Sequence, residues 1–348
     1  MVNKEVYYSD YLQLDKILGT QVPESRIAGN EAHDEMLFII VHQAYELWFK
    51  QILHELASIC TIMSAPKVND NSPAIYTVVH RFDRIIEILR LLVQQVNIIE
   101  TMTPLDFLDF RNMLRPASGF QSFQFKMIEA SLGLKFDQRH GQGYYLSQLR
   151  QEHKEIIGDI ESKPSVIELI NSWLERMPYF DVEEYWTGYV TGSGTTFGGH
   201  IFWGDYRDAY SNSLVEAEKD NLEDFDKLFF DDQYNSDRSL SAKAKRSALF
   251  IMLYRDYPIL QMPYKLLNGL LEIDELMATW RYRHMNMVHR MIGKRIGTGG
   301  SSGKDYLKAS LEKHYIFSEI AELTSFLIER RNLPHLSANL ESKLGFVH

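Results

Sequence analysis

The sequence predicts an all-α protein. Long stretches without Gly or Pro carry apolar residues at helical spacing, whereas alternating segments rich in β-branched residues, which would indicate strands, are scarce. No repeat of fixed period is present. With 348 residues and 45% hydrophobic content, the chain is long enough to bury a full core, and we expect one domain spanning residues 1–348.

The first long helix is predicted between residues 31 and 65, which contain no Gly or Pro. A helix apolar on more than one face is expected to be buried inside a bundle. Here one stripe is formed by Leu37, Val41, Ala44 and Trp48, and an adjacent one by Phe38, His42, Tyr45 and Phe49.

Residues 76–102 show the same pattern, and this second helix is predicted to end before Thr103 and Pro104. Threonine followed by proline is typical of the N-cap and the first residue of a new helix. The other predicted helices cover 119–132, 142–158, 164–175, 241–256, 270–292 and 304–328.

The segment at about 191–240 differs in composition from the predicted helices. A Gly- and Thr-rich stretch is followed there by a strongly acidic one. We interpret it as a surface excursion with a solvated helix. A mobile lid over a site is the alternative.

Composition narrows the class of protein. A formal net charge of −10 argues against nucleic acid and anionic membranes as partners. No uncharged run approaches the roughly 18 residues that span a bilayer, and the N-terminus lacks the apolar block of a signal peptide. Because Cys60 is the only cysteine, no intramolecular disulfide can form, and we expect a cytoplasmic protein.

The glycine-rich stretch "GTGGSSGK" does not satisfy known phosphate-binding motifs. A Walker A loop needs Gly at the position of Thr298 and Ser or Thr at that of Asp305, and the dinucleotide motif needs Gly at Ser302. The backbone N–H groups and hydroxyls of residues 297–303 would still suit a small anion such as a carboxylate. A flexible linker is the competing interpretation.

Metal cages held by several side chains are not expected either. The motif H-E-x-x-H is absent, no histidine follows a Glu by three residues, and His284 and His289 lie roughly 140° apart on a helix. A single histidine on a buried helix can hold haem iron, and His284 has Met277 and Trp280 as apolar neighbours. A satisfied core histidine is the more common case.

Two pairs place an aromatic ring and a polar head on one helical face, Phe38 with His42 and Phe107 with Arg111. If both faces meet at one cavity, they suit an aromatic amino acid. The guanidinium would bind the carboxylate, and neutral imidazole would accept a hydrogen bond from a ring N–H. Taken singly, each pair is more often plain core or surface.

Three long blocks, in order along the chain, resemble the signature segments of the tryptophan 2,3-dioxygenase family. They are "HDEMLFIIVHQAYELWFKQILHEL", "TPLDFLDFRNMLRPASGFQSFQFK" and "WRYRHMNMVHRMIGKRIGTGGSSGKDYL", and "YYSDYLQLDKIL" resembles the family's opening segment. The resemblance implies an all-α, cytoplasmic homotetramer that contains haem b, ferrous when active. Its reaction is cleavage of the indole C2–C3 bond of L-tryptophan by O₂, which gives N-formylkynurenine. The resemblance is weakest at about 191–240.

The resemblance also implies roles for individual residues. His284 would be the axial ligand of the haem iron, with Ser118 and Gly119 near the opposite haem face. The side chains implied in substrate binding are Phe38, Ile39, Ile40, Val41, His42, Phe107, Arg111 and Thr298, with Tyr8, Tyr11 and Leu12 from an N-terminal segment exchanged between subunits.

Among these, His42 would accept the indole N–H, and it is the one residue we expect to take part in catalysis, as an orienting acceptor rather than an obligatory base. Two alternatives stay open at the level of sequence. One is a haem dioxygenase acting on a substituted tryptophan or another indole, and the other is a catalytically silent haem-binding sensor.

Overall fold

The computed structural model describes residues 5–65, 73–135, 149–293, 295 and 315–345. Within these ranges the regular structure is helical. No strand occurs there, and Phe197 and His200 form only an isolated bridge. The predicted all-α fold class is therefore confirmed.

Fifteen α-helices are present in the described ranges. In chain order they are α1 Tyr8–Leu12, α2 Leu14–Ile17, α3 Glu24–Ile27, α4 His33–Met63, α5 Pro73–Ile99, α6 Pro104–Arg111, α7 Phe123–Leu132, α8 Gln151–Glu161, α9 Val166–Glu175, α10 Ile201–Ser213, α11 Asn221–Phe230, α12 Ala242–Leu253, α13 Pro258–Ile292, α14 Ser318–Glu322 and α15 Ala338–Leu344. None of them has the length and hydropathy needed to cross a membrane.

The long helices α4, α5 and α13 form the framework of the fold, and α5 packs against both of the others. Side chains with almost no exposed surface lie between them, such as Ile52 on α4, Phe82 on α5 and Leu267 on α13. Helix α13 begins at Pro258, twelve residues before the predicted start at 270. Pro258 is compatible with this start because the first N–H of a helix has no partner within the helix.

The predicted start of α6 is confirmed in detail. The Thr103 hydroxyl oxygen accepts a hydrogen bond from the Asp106 backbone N–H at 3.3 Å, and the Asp106 carboxylate accepts one from the Thr103 N–H at 2.8 Å. This reciprocal cap satisfies two N–H groups that the helix itself leaves without partners. It fixes the start of the two-turn helix that ends at Arg111.

The segment at 191–240 is packed more closely onto the core than the sequence suggested. Its acidic part forms α11, whose Phe225 and Phe229 are completely buried, so only one face of this helix is solvated. Its Gly- and Thr-rich part folds around the buried Asp205 carboxylate. That carboxylate accepts hydrogen bonds from the Tyr189 hydroxyl at 2.8 Å and the Ser193 N–H at 2.8 Å.

Two predicted helices fall partly outside the described residues. Of 142–158 the structure describes 149–158, which lie in α8 from Gln151 onward, and of 304–328 it describes only 315–328. There the short helix α14 gives way to a 3₁₀ turn at Leu323–Phe326. The described chain resumes against α13, because the buried Asp274 carboxylate accepts hydrogen bonds from the Ile316 and Phe317 N–H groups at 3.1 and 2.6 Å.

Candidate functional site

A largely apolar cavity of about 150 Å³ lies among α4, α5, α6 and α13. Its walls bring together side chains that are far apart in the sequence. They are Phe38, His42, Ile99, Met102, Phe107, Arg111, Ser118, Gly119, Phe120, His284, Met287, Val288, Met291 and Ile292.

One wall of the cavity is aromatic. The Phe38 and Phe107 rings stack at an interplanar angle of 28°, with centroids 5.6 Å apart, and Phe110 packs edge-on against Phe107 at 5.4 Å. These separations are typical of favourable aromatic contacts. The predicted meeting of the α4 and α6 faces is therefore found in the structure, and it provides a flat apolar surface.

His42 lies beside this wall, with its ring centroid 4.2 Å from that of Phe38. Its Nδ1 atom is 2.7 Å from the Phe38 carbonyl oxygen. Because a carbonyl oxygen can only accept, Nδ1 carries the hydrogen, which leaves Nε2 as an acceptor in the neutral ring. Burial lowers the pKa of His42 below 6.5, although the Phe38 carbonyl and Glu46 act in the opposite direction. The neutral ring is thus the main form at pH 7.

Arg111, the last residue of α6, is a buried cation at the cavity wall. Burial lowers the pKa of its guanidinium, and the positive charges of Arg115 and Arg295 lower it further. Arg115 and Arg295 thus add positive potential at Arg111, which favours an anion at this part of the cavity. Guanidinium binds carboxylates with matched geometry.

His284 projects from α13 and lines the same cavity. Its Nδ1 atom is buried and makes no hydrogen bond within the described part of the chain. Burial, with a smaller contribution from the charge of His42, lowers the pKa of His284 to about 4. The ring is therefore neutral at physiological pH, and neutral imidazole is the form that binds metal ions.

The donor set around the cavity suits a cofactor with a single protein ligand. Among the described residues, no group of three or more His, Cys, Asp or Glu side chains could hold a metal ion. What the site offers instead is one neutral imidazole, that of His284, facing a largely apolar cavity. This is the combination that haem requires, since the porphyrin itself supplies four iron ligands.

Arg281 and Arg283 flank His284, and the structure places both in ion pairs with carboxylates of other segments. Arg281 contacts Glu129 of α7 at 2.7 Å in a buried pair, and Arg283 contacts Glu100 at 2.9 Å. Both arginines therefore tie α13 to its neighbours.

Some residues implied by the resemblance do not line this cavity. Ile39, Ile40 and Val41 lie on the turn between Phe38 and His42, and helical geometry directs successive side chains to different faces. Ile40 is 48% exposed, and Val41 is packed in the core. Only the first and last residues of this five-residue stretch reach the cavity.

The N-terminal residues are also absent from the cavity of their own chain. Tyr8 and Tyr11 on α1 are each 75% exposed, and Leu12 is partly exposed. Their exchange into another subunit stays a prediction. Thr298 and the rest of the glycine-rich stretch lie outside the described residues.

Sequence reasoning missed several lining residues. Met291 and Ile292 follow His284 by seven and eight positions, so helical spacing along α13 could have revealed them. Ile99, Met102 and Phe120 lie in other segments and reach the cavity only through tertiary packing. No spacing rule within one helix would have linked them to His284.

The comparisons with known proteins agree with the resemblance seen in the sequence. The family model described as tryptophan 2,3-dioxygenase matches residues 2–327. A protein of that name from Bdellovibrio bacteriovorus is 42% identical, with 98% of each chain covered. One from Alteromonas mediterranea is 44% identical, covering 98% of this chain and 97% of its own, and one from Dictyostelium discoideum is 42% identical, covering 99% and 89%. The chain belongs to the tryptophan 2,3-dioxygenase family.

Proposed function

We propose that this chain is a haem-dependent dioxygenase that cleaves the indole C2–C3 bond of L-tryptophan with O₂ and releases N-formylkynurenine. Membership of the family and the names of its relatives support this reaction. The structural observation that carries it is one cavity lined by three phenylalanines, a neutral acceptor imidazole, a buried arginine and a second neutral imidazole.

The recognition of tryptophan follows from the positions of the cavity side chains. The indole ring would lie along the wall of Phe38 and Phe107, and its N–H would donate to His42 Nε2. Arg111 would bind the carboxylate, and Thr298 would contact the carboxylate or ammonium end. The interactions at opposite ends of the substrate would fix both its position and its orientation.

The cofactor would be haem b, with His284 as its axial ligand and with Ser118 and Gly119 near the opposite face. When bound, ferrous haem supplies the binding and activation of O₂. The part of the protein is to hold the cofactor by one neutral ring, exclude water with apolar walls and orient the substrate. Met287, Val288 and Ile292 supply apolar surface on the same helix as His284.

His42 acts in this proposal by orientation. Indole is already electron-rich at C3, so no strong base is needed to begin the reaction with oxygen. The hydrogen bond of His42 Nδ1 to the Phe38 carbonyl holds the ring with Nε2 available, and the indole N–H would remain protonated while bound. Fixed orientation of two reactants lowers the entropic part of the barrier.

Assembly completes the proposal. We propose a cytoplasmic homotetramer in which Tyr8, Tyr11 and Leu12 close the pocket of a neighbouring subunit. The support is the exposure of these tyrosines together with Val6, Tyr7 and Leu18, an unusually apolar surface for a terminal segment. We propose neither nucleic acid nor a membrane as a partner.

Substrate selectivity tests the proposed function. The haem-loaded, reduced protein should convert L-tryptophan far more efficiently than tryptamine, which lacks the carboxylate. In Arg111→Ala, the KM for L-tryptophan should rise about 10- to 100-fold, because a charged hydrogen-bonded pair contributes about 1.5–3 kcal/mol. The KM for tryptamine should change little, and haem content should remain.

The matched control is Arg290→Ala, an exposed arginine of α13 that does not line the cavity and should leave both KM values unchanged. An unchanged KM for L-tryptophan in Arg111→Ala would reject the carboxylate contact. If wild type prefers another indole, the chain acts on a different substrate. If it turns over none, it is a haem-binding sensor.

A further inference from the structure

The orientation of the His284 ring has no polar explanation in the structure. Histidines that bind metals usually donate their second N–H to a carboxylate or carbonyl, which fixes the plane of the ring. The buried Nδ1 of His284 has no such acceptor within the described residues. Among the described residues, the contacts that can fix the ring plane are packing contacts.

The packing partner is Trp280, one turn earlier on α13. The indole and imidazole rings are parallel within 2°, with centroids 5.1 Å apart. Side chains four residues apart share a helical face, so this contact is built into the helix itself. A flat ring against one face of the imidazole hinders rotation about the Cβ–Cγ bond, since any rotation would bring the ring edge into the indole.

Trp280 is itself enclosed by aromatic side chains of two other helices. Tyr45 and Phe49 of α4 meet its ring edge-on at 6.0 and 6.4 Å, and Phe125 of α7 packs at 4.9 Å. Tyr45 is fixed in turn, because its hydroxyl donates to the Leu92 carbonyl oxygen of α5 at 3.0 Å. The indole therefore has little freedom to tilt, and helices α4, α5 and α7 together determine its plane.

We propose that Trp280 is a positioning residue that sets the plane of the His284 ring through this stacked contact. The inference rests on the proposed role of His284 as the axial ligand. The contact takes the place of the hydrogen bond that orients metal-binding histidines in other sites. Loss of the flat indole should leave His284 able to bind iron, but in a wider range of ring orientations.

A positioning role and a purely structural role predict different effects when Trp280 is replaced. Any large aromatic residue in the core stabilises the fold, so its truncation lowers the melting temperature. A positioning residue also changes the bond between the imidazole and the iron. The frequency and width of the iron–imidazole stretching band of the ferrous protein, measured by resonance Raman spectroscopy, report that bond directly.

The test compares Trp280→Phe and Trp280→Leu with wild type as haem-loaded protein. We expect the band to broaden and shift slightly in the phenylalanine variant and clearly in the leucine variant. Haem affinity should fall about 10-fold in the latter, at the lower end of losses seen when groups supporting a metal ligand are removed. Trp173→Phe and Trp173→Leu on α9 are the matched controls. Trp173 is a buried core tryptophan whose Nε1, like that of Trp280, has no hydrogen bond within the described residues, and it does not line the cavity.

The outcomes separate this proposal from the proposed function. A wild-type protein without an iron–imidazole band would reject the axial role of His284 itself. A wild-type band that is unchanged in the Trp280 variants, with melting temperatures lowered as in the Trp173 controls, would show that Trp280 only packs. If the leucine variant does not fold, the phenylalanine variant decides alone, and an unchanged band there overturns the proposal.

Discussion

The two histidines that face the cavity are held in opposite ways. His42 on α4 donates from Nδ1 to the Phe38 carbonyl of its own helix, so its tautomer is fixed by a hydrogen bond. His284 on α13 makes no hydrogen bond from its buried Nδ1 and is held by stacking on Trp280. Both have lowered pKa values because both are buried.

This difference in how the rings are held suits the two histidines to two separate roles in one cavity. A fixed Nδ1–H leaves His42 Nε2 as a directed acceptor, which suits recognition of an N–H donor. The His284 ring, with its pKa at about 4, stays neutral, which suits a metal ligand. Replacing His284 should therefore affect haem binding, whereas replacing His42 should affect recognition of the substrate.

The largest effect is expected from His284→Ala. Because no other histidine of α13 lines the cavity, the variant should lose haem almost completely, as measured by the ratio of Soret to protein absorbance after purification. His289→Ala, five residues later on an exposed part of α13, is the matched control and should retain haem. Full haem content and activity in His284→Ala would contradict the axial assignment.

A smaller effect is expected from His42→Ala. The variant should bind haem normally but lose one hydrogen bond to the substrate, which contributes about 0.5–1.5 kcal/mol and corresponds to a roughly 2- to 10-fold loss in kcat/KM for L-tryptophan. With 1-methyl-L-tryptophan, which has no indole N–H, wild type and variant should differ much less. Equal losses on both substrates would argue against the contact.

The smallest effect concerns pH. Protonated His42 cannot accept a hydrogen bond, so the KM for L-tryptophan should be constant above pH 7 and rise as the pH falls through the His42 pKa, which burial places below 6.5. Glu46 raises this pKa, so Glu46→Gln should move the rise in KM to lower pH. A shift to higher pH in steady-state profiles would contradict the assignment of the titrating group to His42.

The sequence predicted much of the fold and of the cavity because both depend on local patterns. The start of α6 at Thr103 and Pro104 follows from capping chemistry, and the pairs Phe38–His42 and Phe107–Arg111 follow from helical spacing. The resemblance added His284, which spacing alone could not distinguish from a core histidine.

Other features could not be predicted because they depend on contacts between distant segments. Helix α10 was missed, since its Gly204 and its glycine-rich approach obscure the helical pattern, and only packing onto the core buries Trp203 and Tyr206. The ion pair of Arg281 with Glu129 joins residues 152 positions apart. Likewise, the enclosure of Trp280 by Tyr45 and Phe125 requires three helices to be in place.

The most direct test of the central claim is the fate of oxygen. The reduced, haem-loaded protein is given L-tryptophan and ¹⁸O₂, and the product is analysed by mass spectrometry. The account predicts N-formylkynurenine with one labelled oxygen at each of the two carbons that were joined in the indole ring. A product labelled at only one carbon, or no ring cleavage by a fully haem-loaded protein, would contradict it.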